Sequence, residues 1–187
     1  MIRDRLRPWL RSWMGPALLA LVVALVACQA TLRRTPDVLM AAAERRLAKA
    51  GGVNAFAHTP LATSRSRAVV RPSPDLAYSA CVVDLSKGPV TVDVAPVPAR
   101  YWSLSVFDAR TDVAFVRNNL EAQGQPIRVA LVTPGQAAPA GYEPVAVRGG
   151  HGVALIRILV DDRAQFPAID AARRLSRCAA VAGRRAG

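Results

Sequence analysis

VVRPSPDLAYSACVVDLSKGPVTVDVAPVPARYWSLSVFDARTDVAFVR, Val69–Arg117, is the stretch that decides the fold. Ala77–Leu85 is a mostly apolar run after the Pro72-Ser73-Pro74-Asp75 turn, and Ser86-Lys87-Gly88-Pro89 is a tight connection. Val90, Val92 and Val94 alternate with Thr91 and Asp93, the pattern of a half-buried strand. Ala95-Pro96-Val97-Pro98 cannot pair in mid-sheet and reads as a loop or an edge. In Arg100–Asp108 a period of two puts Trp102, Leu104 and Val106 on one face and Tyr101, Ser103, Ser105 and Phe107 on the other. Asp112–Val116 is a further short strand.

The same grammar continues downstream. Pro126–Val132, Glu143–Val147 and Val153–Val160 read as strands, separated by the loop Thr133–Gly141 and the glycine-rich turn Arg148-Gly149-Gly150-His151-Gly152. Six to eight strands with short connections predict a predominantly antiparallel sheet in an α+β domain. A helix starting at Pro167 and running to Ala182 closes it, with Ala168, Ala172, Leu175, Cys178, Ala179 and Ala182 on one face and Arg173, Arg174 and Arg177 opposite. The last residues, Ala182–Gly187, read as frayed.

Upstream, residues 53–67 read as a polar connection, with His58 an ordinary loop residue. Before it, Thr35-Pro36-Asp37 has the chemistry of a helix start: Thr as cap, Pro in the first turn, an acid beside the helix dipole. Leu39, Ala43, Leu47 and Ala50 recur at helical spacing, and Gly51-Gly52 ends the helix. Its basic face (Arg45, Arg46, Lys49) is solvated or lies against anionic headgroups.

The N-terminus is of another kind. Arg3, Arg5, Arg7 and Arg11 face a single acid, Asp4, and Gly15–Leu32 then runs without a charge until Arg33 and Arg34. A basic flank before an apolar run is a membrane helix or a secretory signal, with the N-terminus held in the cytoplasm. Residues 1–34 are thus read as anchor or lipoprotein signal, and 35–187 as one domain beyond the inner membrane, on the periplasmic side. Leu25-Val26-Ala27-Cys28 matches the lipobox, in which the Cys takes lipid and the chain is cut before it. A small apolar Cys in a spanning helix reads the same. The sequence leaves both open, and either one tethers the chain to a membrane.

The net charge of +12 comes almost entirely from Arg, scattered in pairs such as Arg33/Arg34 and Arg173/Arg174 and not interleaved with aromatics. Without a recognition helix or RNA-binding signature, no nucleic-acid partner is expected. No metal-ligand spacing, phosphate-cradling loop or Gly-x-Ser-x-Gly is present, so no cofactor or metal is expected. Gly149 and Gly150 around His151 read as a hairpin with left-handed backbone. A Ser-His-Asp set can be assembled on paper from Ser103 or Ser105, His58 or His151, and Asp108 or Asp75, but the spacing does not ask for it.

Arg71-Pro-Ser-Pro-Asp75-x-x-Tyr78, Val83-Asp84-Leu85-Ser86-x-Gly88-Pro89-Val90 and Arg100-Tyr101-Trp102-Ser103-Leu104 together resemble the bacterial family called domain of unknown function 1254. Residues 101–108 are also similar to the companion family numbered 1214. The layout resembles the short, membrane-anchored branch of the first family. Ser73 stands where those relatives usually carry Asn. The resemblance brings no established activity.

Two function classes compete. One is a non-enzymatic, membrane-tethered envelope protein that binds a partner, for instance a companion of the 1214-like type. The other is an enzyme or small-ligand binder with a pocket around Asp75, Tyr78, Arg100 and Asp108, lined by Tyr78 and Trp102. Asp84, Arg100 and Asp108 at strand ends also suit a charge-assisted network that pins the sheet. With Cys28 set aside in the apolar segment, Cys81 and Cys178 remain, in an oxidising compartment. A disulfide between the first long strand and the apolar face of the closing helix is expected.

Overall fold

The edges of strands decide this architecture: among the described residues nine strands divide between two sheets whose apolar faces meet in one core. In the computed structural model the residues described are 3–63, 66 and 72–181. The chain divides into two units, Met1–Val38 and Leu39–Gly187. The elements are α1 (Arg3–Gly51), β1 (Phe56–His58), β2 (Leu76–Asp84), β3 (Val90–Val94), β4 (Trp102–Asp108), β5 (Val113–Asn118), β6 (Ile127–Val132), β7 (Glu143–Ala146), β8 (His151–Leu159), α2 (Phe166–Arg173) and β9 (Arg177–Ala180).

The first sheet has the order β1-β2-β8-β4-β5, antiparallel throughout; the second has the order β7-β6-β3-β9, with only β6 and β7 parallel. The alternation read from the sequence is the alternation found. Val90, Val92 and Val94 are fully buried, as are Val129 and Leu131 from β6. They face Cys81, Leu104, Val106, Ile156 and Ile158 from the first sheet in a single cluster. With few aromatics, the core is filled by branched side chains, each contributing about 1.5–3 kcal/mol on burial. Trp102 is the one large ring within it.

The last turns of α1 in the second unit reach one corner of the other face of the five-stranded sheet, at β1 and the start of β8. Met40 is buried, Glu44 hydrogen bonds His151 at 2.8 Å, and Gly51 closes onto Ala57. Gly52, at φ +81°, ends the helix with its N–H on the carbonyl of Ala48, as the Gly51-Gly52 pair suggested.

The α+β class stands, with corrections to its details. The helix expected to begin at Thr35 has no start there: α1 is continuous from Arg3 to Gly51. Thr35 donates its hydroxyl to the carbonyl of Thr31 instead of capping, the bond a Thr makes inside a helix. The single sheet is two. The connection 53–67 contains the edge strand β1, carrying His58.

The closing helix stops after Arg173, and the residues that follow are β9. Leu175 and Ser176 tighten the exit by donating to the carbonyls of Ala172 and Arg173, and the Ser176 hydroxyl accepts the N–H of Ala95. A continued helix would leave the flank of β3 unpaired; β9 fills it, from Val90↔Ala180 to Asp93↔Arg177. Helical spacing therefore misassigned several side chains: Ala168, Leu175 and Ala179 are exposed and Arg173 is buried.

Gly149 and Gly150 do adopt left-handed backbone, at φ 77° and 73°, but they join β7 to β8 across the two sheets and form no hairpin. Ala182 and the tail after it, together with Arg71, lie outside the described residues.

The expected disulfide is present. Cys81 and Cys178 are bonded, with Cα atoms 6.5 Å apart. The geometry differs from the expectation in one respect: Cys178 is on β9, so the bond joins sheet to sheet and not sheet to helix.

Candidate functional site

Three of the four ligand residues proposed from sequence sit at one end of the five-stranded sheet. Asp75, exposed in the turn before β2, accepts the N–H of Val160 on its main-chain carbonyl at 2.9 Å. Tyr78, half-buried on β2, accepts the N–H of Ser73 on its hydroxyl at 3.1 Å. Arg100, just before β4, pairs with Asp161 at 3.1 Å, and both side chains are well exposed. Asp108 is at the other end of β4, six residues from Trp102, a distance of roughly 20 Å. Its carboxylate faces its own turn, accepting the N–H groups of Arg110 at 2.9 Å and Asp112 at 3.1 Å.

Tyr78 and Trp102 lie on opposite faces, since Tyr78 pairs with Arg157 and Trp102 with Ile158, so they line no common cleft. Asp84 likewise acts locally: the N–H of Ser86 donates to its carboxylate at 2.8 Å, and that bond holds its pKa below the usual value. Asp84 and Asp108 pin their own turns, Arg100 pairs with Asp161, and among the described residues the three form no network.

The strongest polar assembly is one the sequence reading missed. Arg173, 1% exposed, donates Nη1 to the carbonyl of Tyr78 and Nη2 to that of Thr59, both at 2.7 Å. Its Nε donates to Asp170 at 2.8 Å, and its guanidinium lies over the Phe166 ring. The other oxygen of Asp170 is taken by Arg174 at 2.7 Å. Burial works against the Asp170 carboxylate, but the hydrogen bonds from Arg174 and Arg173 and their charges outweigh it, and its pKa is lowered. A buried cation with each of its three nitrogens donating to a carbonyl or a carboxylate is a clip: it fastens α2 to the edge formed by β1 and β2.

His58 lies beside this clip, its Nδ1 2.8 Å from the Ser79 hydroxyl. Burial, then the charges of Arg173 and Arg174, lower its pKa, with Asp170 opposing. A Ser–His contact invites a nucleophile reading, but Ser79 is fully buried and an attacking hydroxyl needs access. The paper triads also come apart: His151 bonds Glu44, and Ser105 bonds Arg157. The spacing Asp170–Arg173–Arg174, at three and four residues, was visible as a helical ion-pair signal. Its destination on β1 and β2 was not.

Two further clusters are on the surface. On the outer face of the four-stranded sheet, Asp93 accepts from Arg128 and from the Tyr142 hydroxyl, each at 3.0 Å, and Arg128 lies over the Tyr142 ring. At the open side between the sheets, a cleft of about 500 Å³ is lined by Val116, Arg117, Glu121 and Gln125 among others. Arg117 there is already held by both oxygens of Glu143, at 2.8 and 3.1 Å. Among the described residues no group of three His, Cys, Asp or Glu side chains is placed to hold a metal.

Residues 53–180, more than half of the chain, match the family described as Protein of unknown function (DUF1254). The chain belongs to that family. The DUF1254 region takes in both sheets, α2 and both bonded cysteines. No curated protein matches the chain. Among solved structures it is similar to the VPA0106 protein of Vibrio parahaemolyticus, at 12% identity and a TM-score of 0.56, over 78% of this chain and 37% of that one. A putative uncharacterised protein from Burkholderia cenocepacia matches at 15% identity and a TM-score of 0.45, over 79% of this chain and 42% of that one. The chain thus spans less than half the length of both. At such identity the Vibrio likeness is one of fold.

Proposed function

We propose that the chain is a membrane-tethered protein of the bacterial envelope, displaying its DUF1254 sandwich on the periplasmic side and acting by binding, not catalysis. The observation that carries this reading is the segment from Trp13 onward: long and apolar enough to cross a membrane, with Leu18, Leu19, Leu25 and Val26 all exposed. A soluble protein has no use for such a surface, whereas lipid covers it at no cost. Arg3, Arg5, Arg7 and Arg11 before it outnumber Arg33 and Arg34 after it, which favours a cytoplasmic N-terminus. The Cys81–Cys178 bond suits an oxidising compartment on the far side.

Within this reading the short, membrane-anchored branch of the family is the closest description, and a companion protein of the 1214-like type is the partner. Cys28, exposed and free within α1, is the acceptor if the anchor is lipid. A second reading, small-ligand binding, is favoured by the gathering of Asp75, Tyr78 and Arg100 at one end of the sheet, without Asp108, whose carboxylate is taken up by its own turn at the opposite end of β4.

Fractionation of cells expressing the full chain, with an alkaline phosphatase fusion at the C-terminus, tests the proposal. Membrane association with an active phosphatase is expected; soluble full-length protein with reduced thiols refutes it. Globomycin sensitivity and a lipid mass gain identify Cys28 as the anchor, and a mature chain that keeps Met1 identifies the helix.

A further inference from the structure

We propose that the outer face of the five-stranded sheet carries an anion site at Arg157, with Ser103 and Ser105 beside it, and that its ligand is a small carboxylate with an apolar body. Arg157 sits in β8, the central strand of the sheet, on the face opposite the core. It is flanked directly by Tyr78 on β2 and by Ser103 on β4. Its guanidinium donates Nη2 to the Ser105 hydroxyl at 3.1 Å, and its Nε is buried with no acceptor. Ser103 is 2% exposed, and its hydroxyl likewise has no hydrogen-bond partner.

Charge makes the contrast sharper. Arg173, Arg117 and Arg128, the other arginines packed into or across the sheets, each meet a carboxylate: Asp170, Glu143 and Asp93. Even the exposed Arg100 and Arg174 are paired. Arg157 is half-buried in mid-sheet, and among the described residues no carboxylate lies within ion-pair distance of it. A cation withdrawn from water without a counter-ion, next to a buried hydroxyl without a partner, is the arrangement folding selects against unless a ligand completes it. Cross-strand neighbours have Cβ atoms about 5 Å apart, so one anion can meet the guanidinium and the Ser103 hydroxyl together.

The surroundings select the ligand. A guanidinium fork matches a carboxylate or a phosphate. Only one positive charge is offered, and the neighbouring outer-face positions are Ala80, Val82, Leu155 and Val116. A monoanion with a hydrocarbon body fits that setting, and a dianion with a full hydration shell does not. The site stands whether or not the chain is exported, so its test is independent of the fractionation above.

The full chain in lipid nanodiscs is titrated with acetate, butyrate, hexanoate and inorganic phosphate, following the side-chain Nε–H resonances of arginine by NMR. Hexanoate is expected to bind more tightly than acetate, to shift the Arg157 resonance, and to leave phosphate without effect. Arg157→Gln is expected to weaken hexanoate binding at least tenfold. Ser103→Ala, which removes one hydroxyl and leaves the cation, keeps the test valid should Arg157→Gln not fold, and is expected to weaken binding severalfold. Equal affinity for phosphate, binding unchanged in both variants, or an Arg157 resonance that ignores hexanoate overturns the proposal.

Discussion

Replacing Arg173 by Met removes the most deeply buried charge among the described residues. Met keeps much of the buried stem and its contact with Phe166, so the change isolates the guanidinium. The substitution leaves the carbonyls of Tyr78 and Thr59 without the donors that now meet them at 2.7 Å. Tyr78 keeps two other donors, the N–H and hydroxyl of Thr59, so its loss is the smaller. A hydrogen bond to a charged group contributes about 1.5–3 kcal/mol. Two of them, with a partial discount for Tyr78, give roughly 3–4 kcal/mol, in the range found when a buried ion pair loses one partner. Asp170 is partly exposed and keeps Arg174, so it adds little. Urea unfolding of the full chain in detergent, followed by the fluorescence of the buried Trp102, measures the difference. Arg173→Lys should recover only part of it, since an ammonium cannot span both carbonyls and the carboxylate. A loss below about 1 kcal/mol for Arg173→Met would show that the clip is ornamental and that β1 is held by its ladder with β2 alone.

Three other outcomes are expected. Cys81→Ala with Cys178→Ala opens a loop of 97 residues, worth about 4.7 kcal/mol in the chain-entropy treatment, and a measured loss of 2–5 kcal/mol in the same urea assay is expected, with an unchanged midpoint counting against it. Gly152→Ala drives a Cβ into the carbonyl oxygen of Phe107 at the end of the β4–β8 ladder; a loss of about 1–3 kcal/mol is expected, and a value within a few tenths would mean that this ladder yields freely. His58 is held below its unfolded pKa of 6.5, so between the two values the unfolded chain binds the extra proton and stability falls as pH drops below about 6.5. His58→Gln should therefore lose less stability than the native chain between pH 7.5 and 5; parallel losses would show that the ring titrates alike in both states.

The sequence was most legible where side chains alternate between two kinds of surroundings. Val90, Val92 and Val94 could be assigned to a core without knowing what lay opposite them, because Thr91 and Asp93 marked the other face. The division into two sheets was not legible, since an inward-facing valine looks the same against a helix or a second sheet. Residues 174–180 failed for a related reason. Ala, Cys and Arg at those positions satisfy a helical period and a strand period alike, and the choice was made by the vacant flank of β3, a tertiary fact. The disulfide survived that error because it depended on counting thiols, not on the element that carried one of them. Of the polar residues, Asp75, Tyr78 and Arg100 were found together, while Arg173 was hidden by the assumption that an arginine on a short helix faces water.

The pairing of Val92 with Cys178 has a consequence for how the domain is made. The third strand is synthesised early and must wait for almost the whole remaining chain before its second neighbour arrives. Closing so long a loop is slow, and during the delay that flank of the strand is open to foreign strands. In the export proposed above, Cys81 crosses the membrane long before its mate, and no other thiol follows until Cys178. An oxidant acting on the emerging chain has one intramolecular product to make, so no reshuffling of wrong bridges is needed. The bond then locks in place the strand that arrives last.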